Sequence, residues 1–201
     1  MATISAVQVK QLRDKTGAGM MECKAALSEA GGNIEEAVTL LRKRGLAQAA
    51  KRAGRATAQG IIGSYIHMGG RIGVLIEVNC ESDFVARTDT FRNLVKEVAM
   101  HVAAADPKWV RREDVPPEAL ENEKSIYRAQ MEGAGKPANV IDKIIEGKLG
   151  SFYSQFVLLD QPSVRDPNVT VTQLVAETSA KTGENITVGR FKRYLVGEEH
   201  D

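Results

Sequence analysis

The chain has 201 residues, 43% hydrophobic and 26% charged, which is enough to bury one or two cores and excludes a disordered tail. Its net charge is only +1, yet residues 1–60 hold ten Lys/Arg against five Asp/Glu, a net +5, so the remaining 17 and 21 leave −4. Two distant cysteines exclude a disulfide framework, and the absence of a membrane-length apolar run or a basic leader in MATISAVQ leads us to expect a cytoplasmic protein.

Ser5-Ala6-Val7-Gln8 fits a capping box, and Ile4 and Val9 occupy the positions of a hydrophobic staple. A first helix is therefore expected there, stopping near Gly17. Met20, Cys23, Leu27 and Ala30 recur at spacings of three and four, the apolar face of a second helix on which Met20 and Cys23 are core. Met21 falls off that face and is expected to be exposed, as adaptable methionines at interfaces are. Asn33 caps a third helix, with Ile34, Ala37, Val38 and Leu41 on one face until Gly45. These helices define a small domain over residues 1–45. Residues 46–59, LAQAAKRAGRATAQ, are alanine-rich and basic, and read as an exposed helical connector.

From Gly60 the period changes to two. Ile72, Val74, Ile76, Val78 and Cys80 share one face of a strand, with Arg71, Gly73, Leu75, Glu77 and Asn79 on the other. Met68-Gly69-Gly70 joins this strand to IIGSYIH as a hairpin, and residues 185–195 give a third strand with Gly189 as a bulge position. Between them, Phe91, Leu94, Val95, Val98 and Val102 form one helical stripe ending before Pro107. Further helices start near Pro116-Pro117, at Pro137 and after Thr170. The expected class is α+β: over residues 60–201, a small antiparallel sheet covered by helices.

Catalytic chemistry is hard to find. His67, His101 and His200 have no Cys or carboxylate at metal-ligand spacing, so neither metal nor cofactor is expected. Gly17-Ala18-Gly19 lacks the preceding strand of a dinucleotide loop. His101 reads as a surface or half-buried helix residue, and Cys80 as a buried strand end. The harder stretch is Glu81-Ser82-Asp83-Phe84-Val85-Ala86-Arg87, where a phenylalanine follows an aspartate in a loop that should be polar. A purely structural account has Asp83 capping the next helix and Phe84 tucked beneath it.

The segments TGAGMMECKAAL (16–27), AAKRAG (49–54), IGVLIEVNCESDFVAR (72–87) and AMHVAA (99–104) together closely resemble the bacterial translation elongation factor Ts family. The resemblance runs nearly end to end. It implies an N-terminal three-helix, ubiquitin-associated-like domain on an α+β core. It also implies a guanine-nucleotide exchange factor for elongation factor Tu, a binding protein and not an enzyme. In the family this loop reads Thr-Asp-Phe followed by an apolar residue. Its Asp-Phe pair enters the partner's G domain and dislodges the nucleotide-bound Mg²⁺, which assigns that role to Ser82, Asp83, Phe84 and Val85.

Other contacts that the resemblance implies fall on Lys10, Arg13, Met20, Met21 and Lys24, on Ile72 and Gly73, on His101, and on Val164. The last lies in Gln161-Pro162-Ser163-Val164, where the family has Gln-Pro-Phe-Val, so the phenylalanine of that contact is missing here. Longer members hold two related core halves, whereas RIGVLIEVNC occurs once. A homodimer completing the surface is therefore an expectation. The competing readings are a nucleic-acid-associated module using the basic segment, and an enzyme with an unrecognised site. Against the former, residues 1–60 contain no Phe, Trp or Tyr on which bases could stack, and no direct nucleic-acid binding is expected. Nor is membrane association.

Overall fold

A computed structural model of the chain describes residues 4–131 and 137–198; His200 lies outside them. Eight α-helices among the described residues accompany one sheet of three strands in the order β1-β2-β3. The helices are α1 (Ala6–Thr16), α2 (Met20–Glu29), α3 (Ile34–Arg52), α4 (Asp83–Ala86), α5 (Asp89–Ala105), α6 (Pro117–Met131), α7 (Ala138–Phe156) and α8 (Val171–Thr182). The strands are β1 (Gln59–Ile66), β2 (Ile72–Cys80) and β3 (Ile186–Leu195). The fold is α+β, with a small antiparallel sheet. None of the described helices is long and apolar enough to cross a membrane.

The chain divides into two compact units. One comprises Met1–Gly63, Glu77–Lys96 and Gln173–Val188; the other comprises Ser64–Ile76, Glu97–Thr172 and Gly189–Asp201.

In the first unit, the Ser5 hydroxyl accepts from the Gln8 N–H at 3.2 Å while the Ser5 N–H donates to Gln8 Oε1 at 3.0 Å. This closes the capping box and starts α1. Gly17, at φ 70°, ends the helix with its N–H on Arg13 O at 2.7 Å, the left-handed cap that glycine adopts without strain. Asn33 Oδ1 accepts from the N–H groups of Glu35 and Glu36 and starts α3. Val9, Leu12, Cys23, Ala26, Leu27, Ala30 and Ala37 form the core of these helices.

Two expectations fail here. Met20 is 45% exposed and is not core. It is the first residue of α2, and a helical side chain leans toward the N-terminus, so it projects past the packed turns. Gly45 does not end α3, which runs on to Arg52. An interior glycine costs a helix only about 1 kcal/mol relative to alanine. Gly45 is buried, and a Cβ placed there would lie 3.4 Å from that of Ala180. It is a close-approach point between α3 and α8, flanked by an Arg42–Glu177 ion pair at 3.1 Å and by Arg52 Nη1 donating to Ser179 O at 3.4 Å.

The strand pattern is as expected. Val74, Ile76, Val78 and Cys80 are buried and Leu75 is exposed. In the second unit, Gly69 and Gly70 turn the hairpin at φ 88° and 69°, and the His67 N–H meets Ile72 O at 2.9 Å. Phe152 of α7 forms a second core with Val115 and Val157, against which Trp109, Leu120, Tyr153 and Phe156 pack. Phe91, Leu94, Val95, Val98 and Val102 are all buried along α5.

Candidate functional site

β2 ends at Cys80, and the chain turns at once into the single turn α4. Ser82, extended at φ −128° and ψ 156°, is its N-cap, its hydroxyl accepting from the Val85 N–H at 3.4 Å. Val85 and Ala86 are buried, 9% and 6% exposed, whereas Phe84 is 77% exposed. The turn is thus plugged in by its last two residues and shows its aromatic ring to solvent. Asp83 is the first helical residue, and its carboxylate accepts from Arg87 Nη2 at 2.6 Å. The purely structural account fails on both counts: the cap is Ser82, and Phe84 is not tucked away.

The turn has a polar base. Glu184 Oε2 accepts from the N–H groups of Glu81 at 3.1 Å and Ser82 at 3.0 Å, and Oε1 accepts from the Ser82 hydroxyl at 2.5 Å. In return, Glu81 Oε1 accepts from the Asn185 N–H at 2.6 Å. Sequence reasoning did not single out Glu184 or Asn185. They lie 102 to 104 residues from their partners, beyond any periodicity. The available signal was the pair of main-chain N–H groups that a strand leaves unpaired as it turns into a helix, which must find an acceptor. Cys80 donates its thiol to Ser82 O at 3.1 Å. Burial, and then the nearby Glu184 carboxylate, push its pKa up, so it is a packed thiol and not a nucleophile.

Lys10, Arg13, Met20, Met21 and Lys24 are all exposed on α1 and α2. Ile72 and Gly73 are half-buried, and a Cβ on Gly73 would come 3.1 Å from Ile66 Cδ1. His101 departs from expectation: it is 1% exposed, neither surface nor half-buried. Its Nδ1 accepts from the Val164 N–H at 3.3 Å, which places the ring proton on Nε2, donating to Gln161 Oε1 at 2.8 Å. Gln161 in turn donates to Gln155 O at 2.7 Å. Burial holds the imidazole pKa below its ordinary value, against the opposing pull of Gln161 and Glu97. The structure therefore joins two residues that the sequence left 63 positions apart, with Val164 45% exposed at the end of the chain of bonds. Ser163, where the family pattern has phenylalanine, is 2% exposed. Among the described residues no group of three His, Cys, Asp or Glu side chains is placed to hold a metal ion.

Phe84 thus stands exposed on a turn that is braced from behind. The profile of the family described as Elongation factor TS matches residues 2–198. Proteins named elongation factor Ts from Koribacter versatilis, Fervidobacterium nodosum and Caldanaerobacter subterraneus subsp. tengcongensis are 58%, 57% and 59% identical over 195 residues. The matches cover 97% of this chain and 89%, 99% and 98% of those proteins. The chain belongs to the elongation factor Ts family, and its setting is the elongation stage of protein synthesis.

Proposed function

We propose that the chain is a cytoplasmic guanine-nucleotide exchange factor for elongation factor Tu, making and breaking no covalent bonds. The observation that carries this reading is Phe84, 77% exposed on a turn whose neighbours are buried. Residues 1–45 dock on the partner through Lys10, Arg13, Met20, Met21 and Lys24, residues 46–59 connect, and residues 60–201 carry Ser82–Val85 into the G domain. There Asp83 and Phe84 displace the nucleotide-bound Mg²⁺. Burying the phenylalanine ring supplies about 1.5–3 kcal/mol, a ten- to hundredfold weight on the nucleotide-free complex. Loss of Mg²⁺ removes the charge that neutralises the phosphates. Coupling is reciprocal, so GTP binding to the partner expels the factor. Ile72, Gly73 and Val164 extend the contact, and His101 acts on it through Val164.

The exposed apolar side chains Ile66, Met68, Leu75, Tyr194 and Val196 also support a homodimer, since a soluble sheet normally shows water a polar face. Light scattering tests this part, and a strict monomer at high concentration with full exchange activity removes it. For the main reading, stopped-flow release of labelled GDP from elongation factor Tu should accelerate when the protein is added. No acceleration at saturating protein overturns the function.

A further inference from the structure

We propose that Glu184 is the positioning residue of the Asp83–Phe84 turn, an inference that rests on reading this turn as the exchange element. A helix of four residues cannot hold its own conformation, so its orientation must be imposed from outside. The bonds that open the turn are long, the Val85 N–H to the Ser82 hydroxyl at 3.4 Å and the Ala86 N–H to Ser82 O at 3.3 Å. Three shorter bonds converge on the Glu184 carboxylate instead, from the Glu81 N–H, the Ser82 N–H and the Ser82 hydroxyl. Bonds to an ionised group are about twice as strong as neutral ones. They also fix the role of the serine. A hydroxyl has one proton; given to Glu184, it leaves only lone pairs toward Val85, which is the acceptor role that the cap requires.

Glu184 is itself held. Gly183, at φ 77°, ends α8 with its N–H on Ser179 O at 2.9 Å, and the Ser179 hydroxyl donates to Glu184 O at 2.5 Å. Next to it, the buried Asn185 donates its N–H to Glu81 Oε1 and its side-chain amide to Arg55 O at 2.9 Å. The segments 53–55, 81–82 and 184–185 are thereby knotted, and the knot aims Phe84. This is a positioning role: Glu184 touches the turn, and the turn touches the partner.

The test uses full-length Glu184→Ala, Glu184→Gln and Phe84→Ala with elongation factor Tu and labelled GDP. Glu184→Ala should lower the limiting release rate at saturating factor by about tenfold or more, as misplaced reacting elements do. The half-saturating concentration should stay within about twofold, because the docking residues on α1 and α2 are untouched. Glu184→Gln keeps the size and one acceptor oxygen, and should fall between wild type and Glu184→Ala. In the Phe84→Ala background, Glu184→Ala should cost less than about twofold more, because it acts through a ring already removed. If Phe84→Ala releases GDP at the wild-type rate, the reading of the turn fails, whatever Glu184 does. If Phe84→Ala is slow but both Glu184 variants match wild type, or if the losses simply add, the positioning role fails and the turn keeps its function. Should Glu184→Ala lose its helical circular-dichroism signal, the folded Glu184→Gln variant decides: a wild-type limiting rate overturns the proposal.

Discussion

Phe84 and Val164 each stand on a short segment fixed from behind by a polar side chain, but the two are held by different chemistry. Behind Phe84, three donors converge on one carboxylate, Glu184. Behind Val164, a buried neutral imidazole accepts one N–H and donates its own Nε2–H to Gln161 Oε1. Both arrangements satisfy main-chain N–H groups that no strand or helix could pair, and both leave an apolar side chain in solvent. They differ in what a proton does. Because burial holds its pKa below the ordinary value, the imidazole exchanges its acceptor for a second donor only on acidification, and the Val164 N–H then loses its partner.

The sharpest way to break this comparison is to remove the imidazole. His101→Ala opens a cavity, takes the His101 bond from the buried Gln161 Oε1 and removes the acceptor of the Val164 N–H. The expected loss is about 3 kcal/mol of stability, read by denaturant unfolding. The same site predicts a pH effect. The folded pKa of His101 lies below its unfolded value of about 6.5, so protonation favours the unfolded chain. This contribution is complete above about pH 6.5 and declines as pH falls below it, by at most about 1.4 kcal/mol per unit. An acid decline between pH 7 and 5 that is unchanged in His101→Ala would show that the imidazole is not its source.

Phe84→Ala tests the other side. Partner-stimulated GDP release should slow about ten- to hundredfold, the 1.5–3 kcal/mol of a buried ring. Unfolding stability should move by less than about 0.5 kcal/mol, because the ring is exposed. A variant that melts far lower than wild type yet exchanges normally in the cold would make Phe84 a core residue and end the wedge account.

These two sites were unequally legible in the sequence. Period-two alternation marked β2, and an aromatic residue in a polar loop marked Phe84, because both signals are local. His101, three residues after Val98 and seven after Leu94, falls on the apolar face of α5, so the period pointed inward while the polar ring pointed to solvent. Its partner lies on a segment whose backbone demand becomes visible only in three dimensions. Glu184 was missed for the same reason. Gly45 misled because glycine both ends helices and lets them touch, and the choice depended on Ala180, far away in sequence. Met20 misled because helical spacing was applied to a first-turn residue that has no preceding turn to pack on.

Ser82→Ala is the next test in size. It removes the hydroxyl that caps α4 and fills Glu184 Oε1, and should cost about 0.5–2 kcal/mol of stability. Exchange should slow as well, since the turn loses its aim. Ser82→Thr keeps the hydroxyl and should restore both, measured by thermal melts and GDP release on the same samples.

The smallest stability effect belongs to Asp83, and it separates two roles that the sequence confounded. Were Asp83 the cap, Asp83→Ala would cost as much as Ser82→Ala. The structure gives the cap to Ser82 and leaves Asp83 with an i,i+4 ion pair to Arg87, their side chains 46% and 71% exposed. Exposed pairs of this kind contribute about 0.3–0.5 kcal/mol, so the melting temperature of Asp83→Ala should scarcely move. On the proposed function its exchange rate should nevertheless fall, because that reading offers the carboxylate now shared by solvent and Arg87 to the partner's G domain. Arg87→Ala is the control. It breaks the same ion pair while leaving the carboxylate in place, and should reproduce the small stability loss without the slowed release. If Arg87→Ala slows GDP release as much as Asp83→Ala does, the ion pair and not the free carboxylate matters, and the direct role of Asp83 is lost.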